Sequence, residues 1–532
     1  MSATDVDAIV VGAGFAGLHL VHSLREKGLL VRAFERGDGV GGTWFWNRYP
    51  GARCDAESVY YSYSFDPEIE QEWTWSEKYA TQPEIRSYLD FVADRLDLRR
   101  DITFETTVTA ASFDESTGTW TVRTNGGEEV TARYVVMATG CLSAGRRPDI
   151  AGIDDFTGEV YHTGSWPRDG VDLTGKRVAV IGTGSSGIQA IPQIATRADH
   201  LTVFQRTPNF SVPARNSPLD PDHIAEVKAN YPDLRERSRW SGGGSPTDAV
   251  ETSALEVTPA ERQARYEEFW QAGGATIMFA YADIMTDKAA NDTLADFIRG
   301  KIDEIVEDPE LARLLKPHDH PVGTKRICVD TDYYATYNRD NVSLVDLRTT
   351  PIEALTANGI RTTAGDHDLD VIVFATGFDA MTGALNRIDI VGRDGASLRD
   401  RWRDGPKTYL GVAVHGFPKL FLVTGPGSPS VLSNVVTSIE QHVEWIVAHI
   451  EHLEKNELDH SEADEAAQER WVAHVNETAD ATLYPQANSW YLGANIPGKP
   501  RVFMPYVGGV GAYREKCDEV ARNNYEGFIL AR

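Results

Sequence analysis

Two glycine runs in this 532-residue chain, Gly12-x-Gly14-x-x-Gly17 and Gly182-x-Gly184-x-x-Gly187, have the spacing that cradles a pyrophosphate. The first glycine of such a run permits the turn, the second lets phosphates approach the backbone, and the third lets helix pack on strand. The two runs differ in the charge that ends the following strand. Glu35 can accept hydrogen bonds from a ribose 2′-hydroxyl and repels a 2′-phosphate, which suits FAD or NAD. The second run is followed instead by Gln205, Arg206 and Thr207. An arginine and a hydroxyl with no acid suit a 2′-phosphate, so NADPH fits better there. FAD beside NADPH predicts hydride transfer to the flavin and then to an acceptor. Cys54, Cys141, Cys328 and Cys517 stand too far apart for the close pair a disulfide reductase needs, which leaves dioxygen or a quinone.

These residues need strands and helices to hold them. "DAIVVGAG", "FAGLHLVHSLREKG" and "LLVRAFE" read as strand, amphipathic helix and strand, and the order repeats in "KRVAVIGTG", "SSGIQAIPQIATRA" and "HLTVFQR". The fold class is α/β, with two Rossmann-like dinucleotide-binding domains and a helical insertion in the second. The boundaries predicted are 1–141 and 379–532 for the FAD domain, 142–207 and 323–378 for the NADP domain, and 208–322 for the insertion. In the insertion, Thr258-Pro259-Ala260-Glu261 is a helix start with a capping box. Leu294, Phe297, Ile298, Ile302, Ile305 and Val306 share one helical face, and "SGGGSP" reads as a mobile loop. "YVVMATG" and "DVIVFATGF" are buried strands. "KLFLVTGPGSPS" is another, running into a helix over Ser438–Lys455 that returns the chain to its first domain.

The net charge of −27 and the lack of a basic stretch argue against binding nucleic acid or anionic membrane. Without a cysteine framework, an amino-terminal apolar run or a membrane-length segment, the expectation is a reduced, cytoplasmic protein with no metal and no obligate protein partner.

"GGTWFWNRYPGARCD" and "FTGEVYHTGSWP" resemble the two signatures of the type I Baeyer-Villiger monooxygenases, F-x-G-x-x-x-H-x-x-x-W-P being the family fingerprint. The resemblance extends through "FQRTPNFSVPARN", "GTKR", "ATGFDA", "GPGSPS" and "ANSWYLGANIPGKPR". It implies that NADPH reduces FAD, that dioxygen adds to form a flavin peroxide, and that this nucleophile converts a ketone to an ester or lactone, with sulfoxidation as a side activity. By the same resemblance Arg326 is the catalytic arginine and Asp55 its orienting partner. Gly42, Thr43, Trp44, Asp55 and Tyr61 join the FAD contacts. Ser185, Lys325 and Trp490 join Arg206 and Thr207 around NADP. Thr43, Cys141, Leu432 and Val435 fall near the substrate pocket, and Phe156, Gly158, His162 and Trp166 form a linker that fixes domain placement. Thr43, Cys141 and Val435 differ from side chains found elsewhere in the family, so the preferred ketone is not carried over. The alternatives are an NADPH oxidase or quinone reductase, an N-oxygenating flavin monooxygenase, and a nucleotide sensor without turnover.

Overall fold

The computed structural model describes residues 4–532 and arranges them on two main sheets. Strand β1 (Val6–Val11), a helix over Phe15–Glu26 and β2 (Val31–Phe34) form the first β-α-β unit, with β1 and β2 parallel. β1 is buried from Ala8 to Val11, as expected of a central strand covered on both faces. The short β3 (Ile102–Thr103) lies beyond β2. Then β4 (Val108–Asp114), β5 (Thr119–Thr124) and β6 (Glu129–Met137) make an antiparallel meander whose last strand returns parallel to β1.

The second sheet takes β7 (Glu159–His162), β8 (Arg177–Ile181) and β9 (His200–Gln205). The chain then pairs β10 (Ser211–Pro213) with the distant β11 (Cys328–Asp330). After β12 (Val342–Asp346) come β13 (Ile352–Thr356), β14 (Gly359–Thr362) and β15 (Gly365–Asp368), a small antiparallel sheet. β16 (Val371–Phe374) completes the order β12-β9-β8-β16-β7. Beyond it, β17 (Asp389–Val391) pairs with β4 and β18 (Leu420–Leu422) with β6, so the first sheet is finished by the last third of the chain.

Helices Pro221–Trp240, Pro259–Ala272 and Lys288–Ile305 fill the stretch between β10 and β11. Thr258 and Glu261 cap the second reciprocally. On the third, Leu294, Phe297, Ile298 and Ile302 are buried and Ile305 is partly exposed. The "SGGGSP" segment is tied down along its backbone. The carbonyls of Ser241, Gly242 and Gly243 accept from the N–H groups of Gly511, Val510 and Asn434, and Thr437 Oγ1 donates to Gly244. The helix expected from Ser438 starts at Val435, because Asn434 Oδ1 caps the N–H of Val436 at 3.2 Å.

The fingerprint segment Phe156–Pro167 is built into the second sheet, with β7 as the edge strand on β16. Phe156 and Trp166 are both buried, and Trp166 packs on Tyr161 with ring centroids 5.3 Å apart. A Cβ at Gly158 would lie 2.4 Å from the Phe156 ring and 2.5 Å from the Asp370 carbonyl, so only glycine fits.

Candidate functional site

A cavity of about 2080 Å³ runs along the carboxyl ends of the strands: its walls include residues directly after β1, β2, β6, β8, β9 and β16. Open α/β sheets bind ligands there, and the volume exceeds the roughly 300–1,000 Å³ of a pocket for one small ligand.

The first glycine run shapes one wall. Gly12 has φ +109°, and a Cβ on it would meet the Ala138 carbonyl at 2.5 Å; a Cβ on Gly17 would lie 1.9 Å from the Gly12 carbonyl. Glu35 is buried, and its carboxylate accepts from the N–H groups of Ala13 at 2.8 Å and Gly37 at 2.7 Å, which aims it along the cavity wall. Gly14, Gly42, Thr43, Trp44 and Tyr61 line the same region, and Trp44 Nε1 donates to Tyr61 Oη at 3.1 Å.

The second run repeats the sterics with one difference. Cβ atoms on Gly182 and Gly187 would meet the carbonyls of Ala375 at 2.4 Å and Gly182 at 2.2 Å. At Gly184 nothing among the described residues beyond its own turn lies within 4 Å, so a methyl there would stand in the open cradle between β8 and its helix. Ser185, Arg206, Thr207 and Lys325 line the cavity nearby. Among the described residues neither Arg206 nor Lys325 has an ion-pair partner. Lys325 is held below the usual lysine range, first by burial, with Asp319 opposing and Arg206 adding to the fall. Arg146, which also lines the cavity, is lowered by burial and by Arg206. Three cations drawn together, two of them without an ion-pair partner among the described residues, in a chain of charge −27, fit a polyanionic ligand. The two cradles, Glu35 and this cationic end therefore fit two dinucleotides, one with a bare ribose and one with a 2′-phosphate.

Arg326 lies two residues before β11. Its Nε and Nη2 donate to the two oxygens of Asp55 at 2.9 and 2.8 Å, and Nη1 donates to the Val431 carbonyl at 2.7 Å. Three of the five N–H groups of a guanidinium are thus engaged. The side chains of Arg326 and Asp55 remain 33% and 23% exposed because both face the cavity. The Asp55 carboxylate, outweighing the cost of burial, raises the arginine pKa further. Asn209, also on the cavity wall, donates through Nδ2 to the Arg326 carbonyl at 3.1 Å. It stands in the quoted "FQRTPNF", yet nothing in that motif tells a backbone-holding amide from a loop asparagine.

Cys141, Leu432 and Val435 share this cavity, and burial pushes the Cys141 thiol up, so it stays neutral. Trp490 lines it too, its ring 4.2 Å from that of Tyr491. Met278, Met285, Trp240 and Phe279, which no motif singles out, add apolar surface to the wall, the last two being 50% and 49% exposed. His162 and Trp166 do not line the cavity. His162 Nδ1 accepts from the Gly164 N–H at 2.9 Å, and burial lowers its pKa. Among the described residues there is no group of His, Cys, Asp and Glu able to hold a metal ion, and no helix long and apolar enough to cross a membrane.

Residues 6–228 match the family model for the pyridine nucleotide-disulphide oxidoreductases. A Baeyer-Villiger monooxygenase of Pseudooceanicola batsensis is 46% identical over 99% of this chain and 97% of its own length. Phenazine N-monooxygenase PhzNO1 of Lysobacter antibioticus is 47% identical over 99% and 97%. Among solved structures, an oxidized steroid monooxygenase bound to NADP superposes with a TM-score of 0.95 at 56% identity, covering 99% of both chains. OTEMO in complex with FAD and NADP superposes with a TM-score of 0.97 at 43% identity, covering 100% of both.

Proposed function

We propose, for a chain that belongs to the FAD- and NADPH-dependent Baeyer-Villiger monooxygenases, that the substrate is a ketone with a bulky apolar body and that Arg326 is the catalytic cation. The reaction joins ketone, dioxygen, NADPH and a proton to give ester or lactone, NADP⁺ and water. When bound, FAD would supply the redox chemistry that links NADPH oxidation to the activation of dioxygen.

The chain's own residues bind, orient and neutralise. Glu35 and the first glycine run hold the FAD ribose and pyrophosphate, while Arg206, Thr207 and Lys325 hold the 2′-phosphate of NADP. The observation that carries the catalytic reading is the state of Arg326: locked by Asp55 and Val431 and facing Tyr491, its guanidinium stands on the wall shared with Cys141 and Leu432. A preorganised cation stabilises negative oxygen as it develops and needs no reorganisation at that moment. Arginine does so without giving up a proton, which a lysine could. Asp55 fixes the plane of the fork.

The substrate class rests on the wall of Trp240, Phe279, Met278 and Met285, which suits an extended apolar body, and on the 56% identity with a steroid monooxygenase. The similarity to a phenazine N-monooxygenase supports a second reading, oxygenation of an aromatic ring nitrogen. Sulfoxidation of a thioether is proposed as a side activity. Incubation with NADPH and ¹⁸O₂, with a polycyclic ketone, a phenazine and a thioether in separate arms, tests these readings. Labelled ester from the ketone as the fastest product is expected; N-oxide alone would overturn the ketone reading.

A further inference from the structure

β18 is a side strand whose ladder is with β6 among the described residues, and that ladder ends where the Val423 N–H donates to the Met137 carbonyl at 3.1 Å. Along a strand successive N–H groups point opposite ways, so the next one, on Thr424, turns away from β6 into a buried space. An unpaired buried N–H is costly, and something must accept from it. The acceptor is Nδ1 of His442, at 2.9 Å, from the helix Val435–Lys455.

The rest of the chain of bonds follows from valence. An amide N–H can only donate, so Nδ1 carries no proton and Nε2 does. Nε2 lies 2.8 Å from Tyr513 Oη and donates to it, and Tyr513 in turn donates to the Leu410 carbonyl. His442 and Leu410 are fully buried and Tyr513 almost so. Arg514 is the charge that acts on the ring, and both it and burial favour the neutral form.

The ends of this relay have something in common. Thr424 has φ +54° and Leu410 φ +56°, left-handed conformations that a branched side chain adopts only under constraint. The turns that follow them interlock, since a Cβ on Gly425 would lie 2.4 Å from the Gly411 carbonyl. Thr424 is also a wall residue of the main cavity, near Cys141, and begins the loop that ends in Val431, whose carbonyl holds Arg326.

We infer that His442 is a positioning residue: with Tyr513 it clamps Thr424 in its left-handed conformation, and so sets the wall against which FAD binds and the loop that anchors Arg326. Neither His442 nor Tyr513 lines the cavity, so their effect passes through Thr424.

The test is a double-mutant cycle read by FAD affinity, from titration of the apoprotein followed by flavin fluorescence, and by the share of NADPH electrons ending in ester rather than hydrogen peroxide. His442→Leu removes the acceptor and should raise the Kd for FAD at least tenfold and lower that share, with NADPH affinity within twofold of the parent. His442→Asn, whose amide oxygen can take the place of Nδ1, should stay within about threefold. Glycine adopts φ +54° freely. In the Thr424→Gly background, His442→Leu should therefore cost threefold or less. An unchanged Kd for FAD in His442→Leu, or the same loss in both backgrounds, would overturn the inference and leave His442 a packing residue. If His442→Leu yields no soluble protein, His442→Asn is set against His442→Gln, which reaches past the Thr424 N–H. Equal FAD affinity in those two would also overturn it.

Discussion

Arg326 keeps its charge at any pH the protein survives, and its partner Asp55 is bound through both oxygens, so its variants separate charge from shape. Arg326→Ala should still take hydride from NADPH without oxygen, yet form ester on the order of a hundredfold to a thousandfold more slowly. Stopped-flow mixing, first anaerobic and then with oxygen and ketone, measures both steps; ester at the parent rate would remove the catalytic role. Arg206→Ala should weaken NADPH by about 1.5 to 3 kcal/mol, roughly tenfold or more, while leaving NADH unchanged, as read from the two Kd values. Asp330 gives the pH prediction. Burial lifts its carboxyl to about 6 from an ordinary 3.8, against hydrogen bonds from Ser211 and from the Tyr333 N–H at 3.0 Å. The folded chain therefore holds that proton more tightly than the unfolded chain, and this contribution to stability is complete below about pH 4 and lost as pH rises through about 6. Asp330→Asn keeps partners for both neighbours and cannot ionise, so its advantage should grow to about 2 to 3 kcal/mol between pH 4 and pH 8. Unfolding followed across that range should show the gap widen with pH.

The second β-α turn separates two kinds of glycine that look alike on paper. Gly187→Ala would force a methyl to 2.2 Å from the Gly182 carbonyl and should cost folding, whereas Gly184→Ala meets nothing within 4 Å beyond its own turn among the described residues and should fold normally but bind NADPH poorly. Soluble yield and NADPH affinity, measured on both, should move in opposite variants. Gly158→Ala belongs with the first kind, because it collides with the Phe156 ring that seats β7 on the sheet. The glycine runs were legible in the sequence because each position answers a local steric demand. The Asp55–Arg326 fork joins residues 271 apart in the chain and was readable only through family resemblance. The His442–Tyr513–Thr424 relay left no signal, since a histidine on a buried helix face has the same spacing as any core residue. The bonds to the glycine-rich loop left no signal for a related reason: glycine marks conformational freedom, while the partners of Ser241–Gly244 are Asn434, Thr437, Val510 and Gly511, far along the chain.

At the scale of the whole molecule, ligands that bind only the folded chain stabilise it by mass action, about 2.7 kcal/mol at a hundred times the Kd. NADP⁺ should therefore raise the unfolding temperature of the FAD-loaded enzyme more than NAD⁺ at equal concentration, and equal shifts would contradict the 2′-phosphate site. The broad plan of two β-α-β units and a returning chain was readable because buried parallel strands are continuous apolar runs, the carboxyl half of β6 among them; β4, β5 and the meander β13–β15, part polar and part exposed, were not. The return itself has a consequence for biosynthesis. β6 leaves the ribosome long before β18, its partner, which lies some 280 residues later, and β4 waits similarly for β17. At about 5–20 residues per second that interval is roughly 15 to 60 seconds, during which the outer edge of β4 and the stretch of β6 beyond its pairing with β5 lack their final neighbours. The second sheet, whose strands all lie within residues 159–374, can close in that time. Nascent chains arrested before β17 should thus capture NADP⁺ but not FAD, and should engage chaperones until translation resumes.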